Sequence, residues 1–160
     1  YQQGAEKRVE KQGKAEKSMD KISVIVPCYN EQEAIPIFYS EITKTAKKLS
    51  QAELEVIFIN DGSKDSSLAE MKKLAKADSR IKYLSFSRNF GKEAAMYAGL
   101  TDADGDYVAI MDVDLQDPPS LLPEMYRIIT EETYDCVATR RVTRKGEPPI
   151  RSFLRDVFMP

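Results

Sequence analysis

The chain has 160 residues, of which 42% are hydrophobic and 31% charged, and its net charge is -2. This composition predicts a globular protein of one domain, or one domain with a tail, and gives no reason to expect a nucleic-acid partner. The sequence contains no histidine, which excludes histidine general bases, Ser-His-Asp triads and imidazole metal sites. A metal would therefore bind to oxygen ligands, which favours Mg²⁺, Mn²⁺ or Ca²⁺ over Zn²⁺.

Residues 1–18 are polar and charged and lack an apolar stripe. We expect them to be a linker, a tag remnant or a solvated helix, with the domain spanning residues 19–160. No apolar run approaches the roughly 18–20 residues needed to span a bilayer, so we do not expect the chain as given to be an integral membrane protein. Cys28 and Cys136 lie in apolar, strand-like runs and are predicted to be buried, reduced thiols.

From residue 21 onward, apolar runs of strand length alternate with segments of helical spacing. The predicted strands are residues 22–26 (closed by Pro27), 54–59, 81–86, 106–111 and 134–139. The predicted helices are residues 33–50, 66–77, 92–101 and 119–130. Strands and helices that alternate with short connections predict an α/β fold with a mainly parallel sheet and helices on both faces.

A polar cluster follows each predicted strand. In chain order the clusters read "PCYNE", "NDGSKD", "SRNFGK", "DVDLQD" and "RRVTRKGE". In open α/β sheets, ligands bind outside the carboxyl ends of the strands. The sequence therefore predicts an active site at one edge of the sheet.

The fourth cluster is rich in oxygen ligands. If the chain stays extended there, Asp112, Asp114 and Gln116 point to the same side, and they would form a site for a divalent cation with open positions for phosphate oxygens. The alternative is that Asp114 and Asp117 cap the helix that begins near Pro118. We favour the cap for Asp117 and the metal for Asp112 and Asp114, because a cap needs one carboxylate.

Two other clusters leave alternatives open. Asp61 would accept a hydrogen bond from the ring N–H of a nucleobase. Alternatively, it would be a turn residue, and a neighbouring residue would cap the helix that follows. Asn30 and Glu31 suit the start of a helix, whereas Tyr29 could stack on a base.

Basic residues gather near the end of the chain. Arg140, Arg141, Arg144 and Lys145 form either a solvated patch or a phosphate site. Neither a GxxxxGK[ST] loop nor a GxGxxG turn accompanies the predicted strands, which argues against those nucleotide fingerprints.

Together the clusters resemble family 2 glycosyltransferases of the GT-A fold over residues 21–147. The resemblance is carried by "VIVPCYNEQEAI", "VIFINDGSKDSS", "LSFSRNFGKEAAMYAGL", "MDVDLQDPPSLLPEM" and "RRVTRKGE". The group that looks most similar is the polyprenyl-phosphate sugar transferases, which include dolichyl-phosphate mannosyltransferase and the bactoprenol glucosyltransferases.

The resemblance implies roles for the matching residues. Asp112 and Asp114 correspond to the family's DxD pair, which binds Mg²⁺ or Mn²⁺, with Gln116 as a further metal-site residue and Arg141 as the family's catalytic arginine. The residues implied to bind the nucleotide sugar are Pro27, Tyr29, Glu31, Asp61 and Asp112. The sequence departs from the family at Lys92, where relatives often carry histidine.

The implied function is the inverting transfer of a sugar from a UDP- or GDP-linked donor to a polyprenyl phosphate, at the cytoplasmic face of the membrane. A phosphate acceptor is already anionic near neutral pH, since its second pKa is about 6. It therefore needs alignment and shielding more than a general base. The expected partners are the donor, the acceptor and a membrane surface, with self-association into a homo-oligomer left open.

The residues after Glu147 mix apolar and basic side chains, as interfacial segments do. Similar proteins continue into membrane-embedded helices. We therefore expect the chain to hold mainly the donor-binding part of a longer protein, and to transfer sugar poorly.

Two other functions are considered. One is a family 2 enzyme acting on a hydroxyl acceptor, which would need a general base beyond residue 160. The other is a non-catalytic signalling module such as a receiver domain. Receivers require an acidic pair after the first strand, where this chain has "PCYNE".

Overall fold

The computed structural model describes residues 19–132 and 134–139. Strands and helices alternate in the order β1 (Asp20–Cys28), α1 (Ala34–Ala46), β2 (Ala52–Asn60), α2 (Ser67–Ala77), β3 (Ile81–Ser85), α3 (Lys92–Asp102) and β4 (Tyr107–Ile110), followed by a short 3-10 helix (Pro119–Leu121) and α4 (Leu122–Glu131). The described residues fall into two compact units that divide between Pro123 and Glu124. The whole sheet lies in the first unit.

The four strands form a parallel sheet in the order β3-β2-β1-β4. β1 and β2 are its centre, and Ile25 lies opposite Ile57 in their register. Both strands are almost continuously buried. This burial explains why their central residues, 24–26 and 56–59, are apolar without alternation.

Helices cover both faces of the sheet, as predicted. On one face, Ala95 of α3 packs in a fully buried cluster with Ile25, Ile57 and Ile59. On the other face, Phe38 of α1 meets Phe58 of β2 edge to face, with ring centroids 6.0 Å apart. The alternation of Ile57, Phe58 and Ile59 along β2 thus supplies both cores.

A buried glutamate lies within the sheet. Glu55 of β2 is 3% exposed; its carboxylate accepts a hydrogen bond from Ser23 Oγ (2.6 Å) and pairs with Lys21 Nζ (3.0 Å) and Lys82 Nζ (2.8 Å). Burial alone would raise the pKa of this carboxyl group, but hydrogen bonds from Lys82, Ser23 and Lys21 outweigh burial and lower the pKa to about 2. The network ties β1, β2 and β3 together through one carboxylate.

The second unit contains most of α4. There Arg127 pairs with Glu124 (2.7 Å) and Glu131 (2.8 Å), one turn away on either side. The hydrogen bonds that the Arg127 guanidinium donates to these carboxylates raise its pKa. Such pairs add a few tenths of a kcal/mol each to helix stability, roughly 0.2–0.5.

Three details differ from the sequence predictions. Residues 134–139, predicted as a fifth strand, adopt no strand in the structure, and Cys136, predicted to be buried, is exposed. A strand is defined by its hydrogen-bonded neighbour, and a run of apolar residues does not report whether that neighbour is present. β1 also continues through Pro27 to Cys28, since a proline at a strand end removes only one donor.

No helix in the described part of the chain is long and apolar enough to cross a membrane.

Candidate functional site

A cavity of about 390 Å³ lies at the carboxyl ends of the strands. Its walls come from the segments that follow β1, β2, β3 and β4, as the polar clusters predicted. Most of the predicted site residues line it: Pro27, Tyr29, Glu31, Asp61, Asp112 and Asp114. Arg141 and the rest of the fifth cluster lie outside the described residues.

The segment after β1 is held by the segment after β2. Asn30 Oδ1 accepts a hydrogen bond from the Lys64 amide (2.8 Å), and the Glu31 amide donates one to Ser67 Oγ (2.8 Å). Asn30 therefore bridges two loops, with a left-handed backbone (φ 57°). It does not cap α1, whose N-cap residue is Glu33.

Asp61 anchors the loop that follows β3. It is 3% exposed, and its two carboxylate oxygens accept hydrogen bonds from the backbone amides of Phe90 (2.7 Å) and Gly91 (3.0 Å). Carboxylate oxygens have two lone pairs each, so these bonds leave acceptor capacity on the cavity side. The contact to a nucleobase stays a prediction.

The segment after β4 departs from the extended conformation. Residues 113–117 form turns and bends, and Leu115 has a left-handed backbone with φ 60°. The Gln116 amide donates to Asp114 Oδ1 (3.0 Å). The assumption of an extended chain was therefore wrong: Asp112 and Asp114 line the cavity, whereas Gln116 is not among its lining residues.

The 3-10 helix that follows has Pro118 as its N-cap residue. The prediction that Asp117 caps this helix was therefore wrong. Pro119 is the first residue of the helix, in agreement with the preference of proline for that position.

The cavity also contains a lysine that was not predicted as a site residue. Lys92, the first residue of α3, pairs through Nζ with Asp112 Oδ1 at 2.6 Å. Asn89 and Gly91 also line the cavity, just before the N-terminus of α3. The departure from histidine at position 92 was the available signal, but sequence alone does not reveal which carboxylate a lysine contacts.

The cavity is rich in negative charge. Burial raises the pKa of the Glu31 carboxyl group, and repulsion from Asp114, Asp65 and Asp112 raises it further. No three carboxylate or thiol groups in residues 19–132 and 134–139 lie close enough together to hold a metal by themselves. Two hard carboxylates in an acidic cavity fit a divalent cation that completes its coordination with phosphate oxygens and water.

Residues 23–156 match the family model described as Glycosyl transferase family 2. The chain belongs to this family. Membership of this family argues against the alternative of a non-catalytic signalling module. The five polar clusters of the sequence therefore belong to a glycosyltransferase domain.

Two curated relatives of this glycosyltransferase domain are informative. An Escherichia coli (strain K12) prophage bactoprenol glucosyl transferase homolog is 50% identical over 66% of this chain and 34% of the relative. The undecaprenyl-phosphate 4-deoxy-4-formamido-L-arabinose transferase of Proteus mirabilis (strain HI4320) is 39% identical over 79% of this chain and 39% of the relative. The chain thus spans between a third and two-fifths of the length of these relatives.

A solved structure shares the fold of this glycosyltransferase domain. It is the Pyrobaculum calidifontis mannosyltransferase PcManGT in complex with GDP-Man and Mn²⁺, with a TM-score of 0.61 and 23% identity over 77% of this chain and 37% of that chain. The fold is GT-A, as the resemblance implied.

Proposed function

We propose that this domain binds a nucleotide sugar together with Mg²⁺ or Mn²⁺ and contributes to the inverting transfer of the sugar to a polyprenyl phosphate. The observation that carries the proposal is the placement of Asp112 and Asp114 in one cavity with the N-terminus of α3. The names of the two lipid-carrier relatives support the acceptor.

The cavity suits a diphosphate only when a cation is present. Two aspartates would repel a diphosphate, whereas a divalent cation between them and the phosphates would reverse the sign of the interaction. Asp112 and Asp114 would hold that cation, and Gln116 stays a predicted further ligand. When bound, the cation supplies charge stabilisation for the departing nucleoside diphosphate.

The N-terminus of α3 favours the same ligand. Gly91 is the N-cap residue with φ 98°, and in the described structure no side chain caps this end of the helix. Backbone N–H groups at a helix N-terminus attract anions. The loop anchored by Asp61 therefore brings the positive end of a helix toward the predicted phosphate position.

Inversion follows from a single displacement. An oxygen of the acceptor phosphate forms a bond to the anomeric carbon as the bond from that carbon to the donor diphosphate breaks, and the bonding electrons leave with the nucleoside diphosphate. The acceptor is already anionic, so no proton has to be removed. Arg141 is predicted to shield the two approaching phosphates.

The test is a calorimetric titration of the chain with UDP-glucose and GDP-mannose, each with and without Mn²⁺. We expect one donor to bind with Mn²⁺ and to lose at least about tenfold in affinity without it or in Asp114→Asn, because the diphosphate then faces uncompensated carboxylates. Asp102→Asn, at the exposed far end of α3, is the matched control. Absence of metal-dependent binding to both donors, extended to other bases and sugars, would reject the proposal.

A further inference from the structure

Lys92 occupies a position that helix electrostatics disfavours. It is the first residue of α3 and no other basic residue lies in that turn, which also contains Glu93. A cation at a helix N-terminus is repelled by the positive end of the helix dipole. The contact that offsets this cost is the ion pair of 2.6 Å with Asp112.

The ion pair has the properties of a replaceable contact. The side chains of Lys92 and Asp112 are 52% and 44% exposed, so water can solvate either charge when they separate. Lysine carries a compact charge on a flexible stem. Separating the Lys92 ammonium group from the Asp112 carboxylate by a few ångströms therefore costs little free energy. The ammonium group remains within the cavity that both residues line.

We propose that Lys92 is the internal counter-ion of the cation site: it pairs with Asp112 in the free protein and moves to a diphosphate oxygen when a divalent cation takes Asp112. This inference rests on the proposed donor site. Its physical basis is competition, since the ammonium group and the metal need the same carboxylate oxygen.

The exchange of partners by Lys92 would couple the binding of the divalent cation to the binding of the diphosphate. A divalent cation alone must displace Lys92 from Asp112, whereas a diphosphate gives Lys92 an alternative partner and frees the carboxylate. Each ligand therefore strengthens the binding of the other by the same factor. Lys92 would disfavour metal binding without a donor and favour the metal–donor complex.

The experiment titrates Mn²⁺ alone into the wild-type chain and into Lys92→Gln. Exposed ion pairs contribute up to about fivefold to an equilibrium, so we expect Lys92→Gln to bind Mn²⁺ about two- to fivefold more tightly than the wild type. The matched control is Lys44→Gln, which breaks a pair with Glu41 of the same 2.6 Å length on α1 and should leave Mn²⁺ affinity unchanged.

A second titration adds UDP or GDP, both without sugar. The nucleotide should increase Mn²⁺ affinity more in the wild type than in Lys92→Gln, and Lys92→Arg, which keeps the charge, should retain most of the increase. Circular dichroism of each variant checks that the helices are intact.

The two proposals fail differently. Mn²⁺ affinity that is equal in wild type and Lys92→Gln overturns the counter-ion role and leaves the donor site standing. A loss of Mn²⁺ affinity in Lys92→Gln also overturns it, because competition requires a gain. Absence of Mn²⁺ binding in every variant, with and without nucleotide, overturns both proposals.

Discussion

Asp61 and Gly62 hold the loop after β3 by different means. Asp61 accepts hydrogen bonds from two of the loop's amides, whereas Gly62 offers the space that the loop backbone occupies. A Cβ atom at Gly62 would lie 2.2 Å from the carbonyl carbon of Arg88 and 2.5 Å from the amide nitrogen of Asn89. Backbone atoms cannot move aside as a side chain can. Asp61 and Gly62 therefore fix the position of the loop that connects β3 to α3.

Gly62→Ala should therefore destabilise the protein. The left-handed backbone of Gly62 (φ 67°) costs a residue with a Cβ about 1 kcal/mol or more, and the contact with the loop backbone adds to that cost. The measurement is the free energy of unfolding in urea. Gly91→Ala is the comparison variant: Gly91 (φ 98°, ψ 158°) has a backbone conformation that essentially only glycine adopts, but a Cβ there would meet only Glu93 Oε2, at 3.6 Å.

We expect Gly62→Ala to lose more stability than the roughly 1–3 kcal/mol that backbone strain alone costs, and to weaken donor binding, since the displaced loop carries Asn89 and Gly91 at the cavity wall. A loss in Gly62→Ala that stays within this range of about 1–3 kcal/mol, and does not exceed the loss in Gly91→Ala, would mean that backbone strain, not the close approach of the loop, makes glycine necessary at position 62.

At the scale of the elements, the Glu55 network joins three strands through one buried carboxylate. Its pKa is lowered to about 2 in the folded protein, against about 4.3 in an unfolded chain. A carboxyl group with a lowered pKa stabilises the folded state above its unfolded pKa. That stabilisation is lost as the pH falls from about 4.3 toward about 2, where the folded carboxylate is protonated.

Glu55→Gln should remove this pH dependence. At pH 7 we expect a loss of about 1–3 kcal/mol, because Lys21 and Lys82 lose their shared carboxylate. Between pH 4.5 and 2 the stability of the variant should fall less steeply than that of the wild type. Urea unfolding at several pH values measures both effects, with Glu53→Gln, an exposed change on the same strand, as the control. Parallel pH profiles for wild type and Glu55→Gln would contradict the role assigned to the network.

The sequence predicted four strands and four helices near their observed positions because buried parallel strands and amphipathic helices leave strong periodic signals. The fifth strand failed at residues 134–139 because pairing, not periodicity, makes a strand. The left-handed backbone of Leu115 was also not predicted. A leucine is rarely left-handed, so an extended "DVDLQ" was the natural expectation, and the turn was not visible in the residue types.

The site could be predicted at the level of the loops but not of the contacts. Parallel strands bring their carboxyl ends to one edge, so the clusters had to meet whatever their details. The pairing of Lys92 with Asp112 joins residues far apart in the sequence. It depends on the strand order and on the angle of α3, which no single motif encodes.

For the whole molecule, donor binding and sugar transfer make different demands. The cavity proposed to bind the donor is built within the first compact unit, whereas the proposed acceptor, a polyprenyl phosphate, would have to be held beside it by protein or membrane. The relatives named for lipid carriers are between two and a half and three times as long as the aligned part of this chain, which covers 34–39% of them. Holding two reactants in place supplies much of the rate in such reactions, up to several kcal/mol of the barrier.

We therefore expect this chain to bind its donor with Mn²⁺ but to transfer sugar to undecaprenyl phosphate at close to the background rate. Calorimetry and a radiolabelled transfer assay on the same preparation compare the two activities, with the acceptor supplied in detergent and in vesicles. Asp114→Asn is the control that distinguishes enzyme-dependent transfer from contamination. Rapid transfer that disappears in Asp114→Asn would show that the 160 residues position both substrates, since the cavity would then supply the orientation that we assign to the rest of the longer relatives.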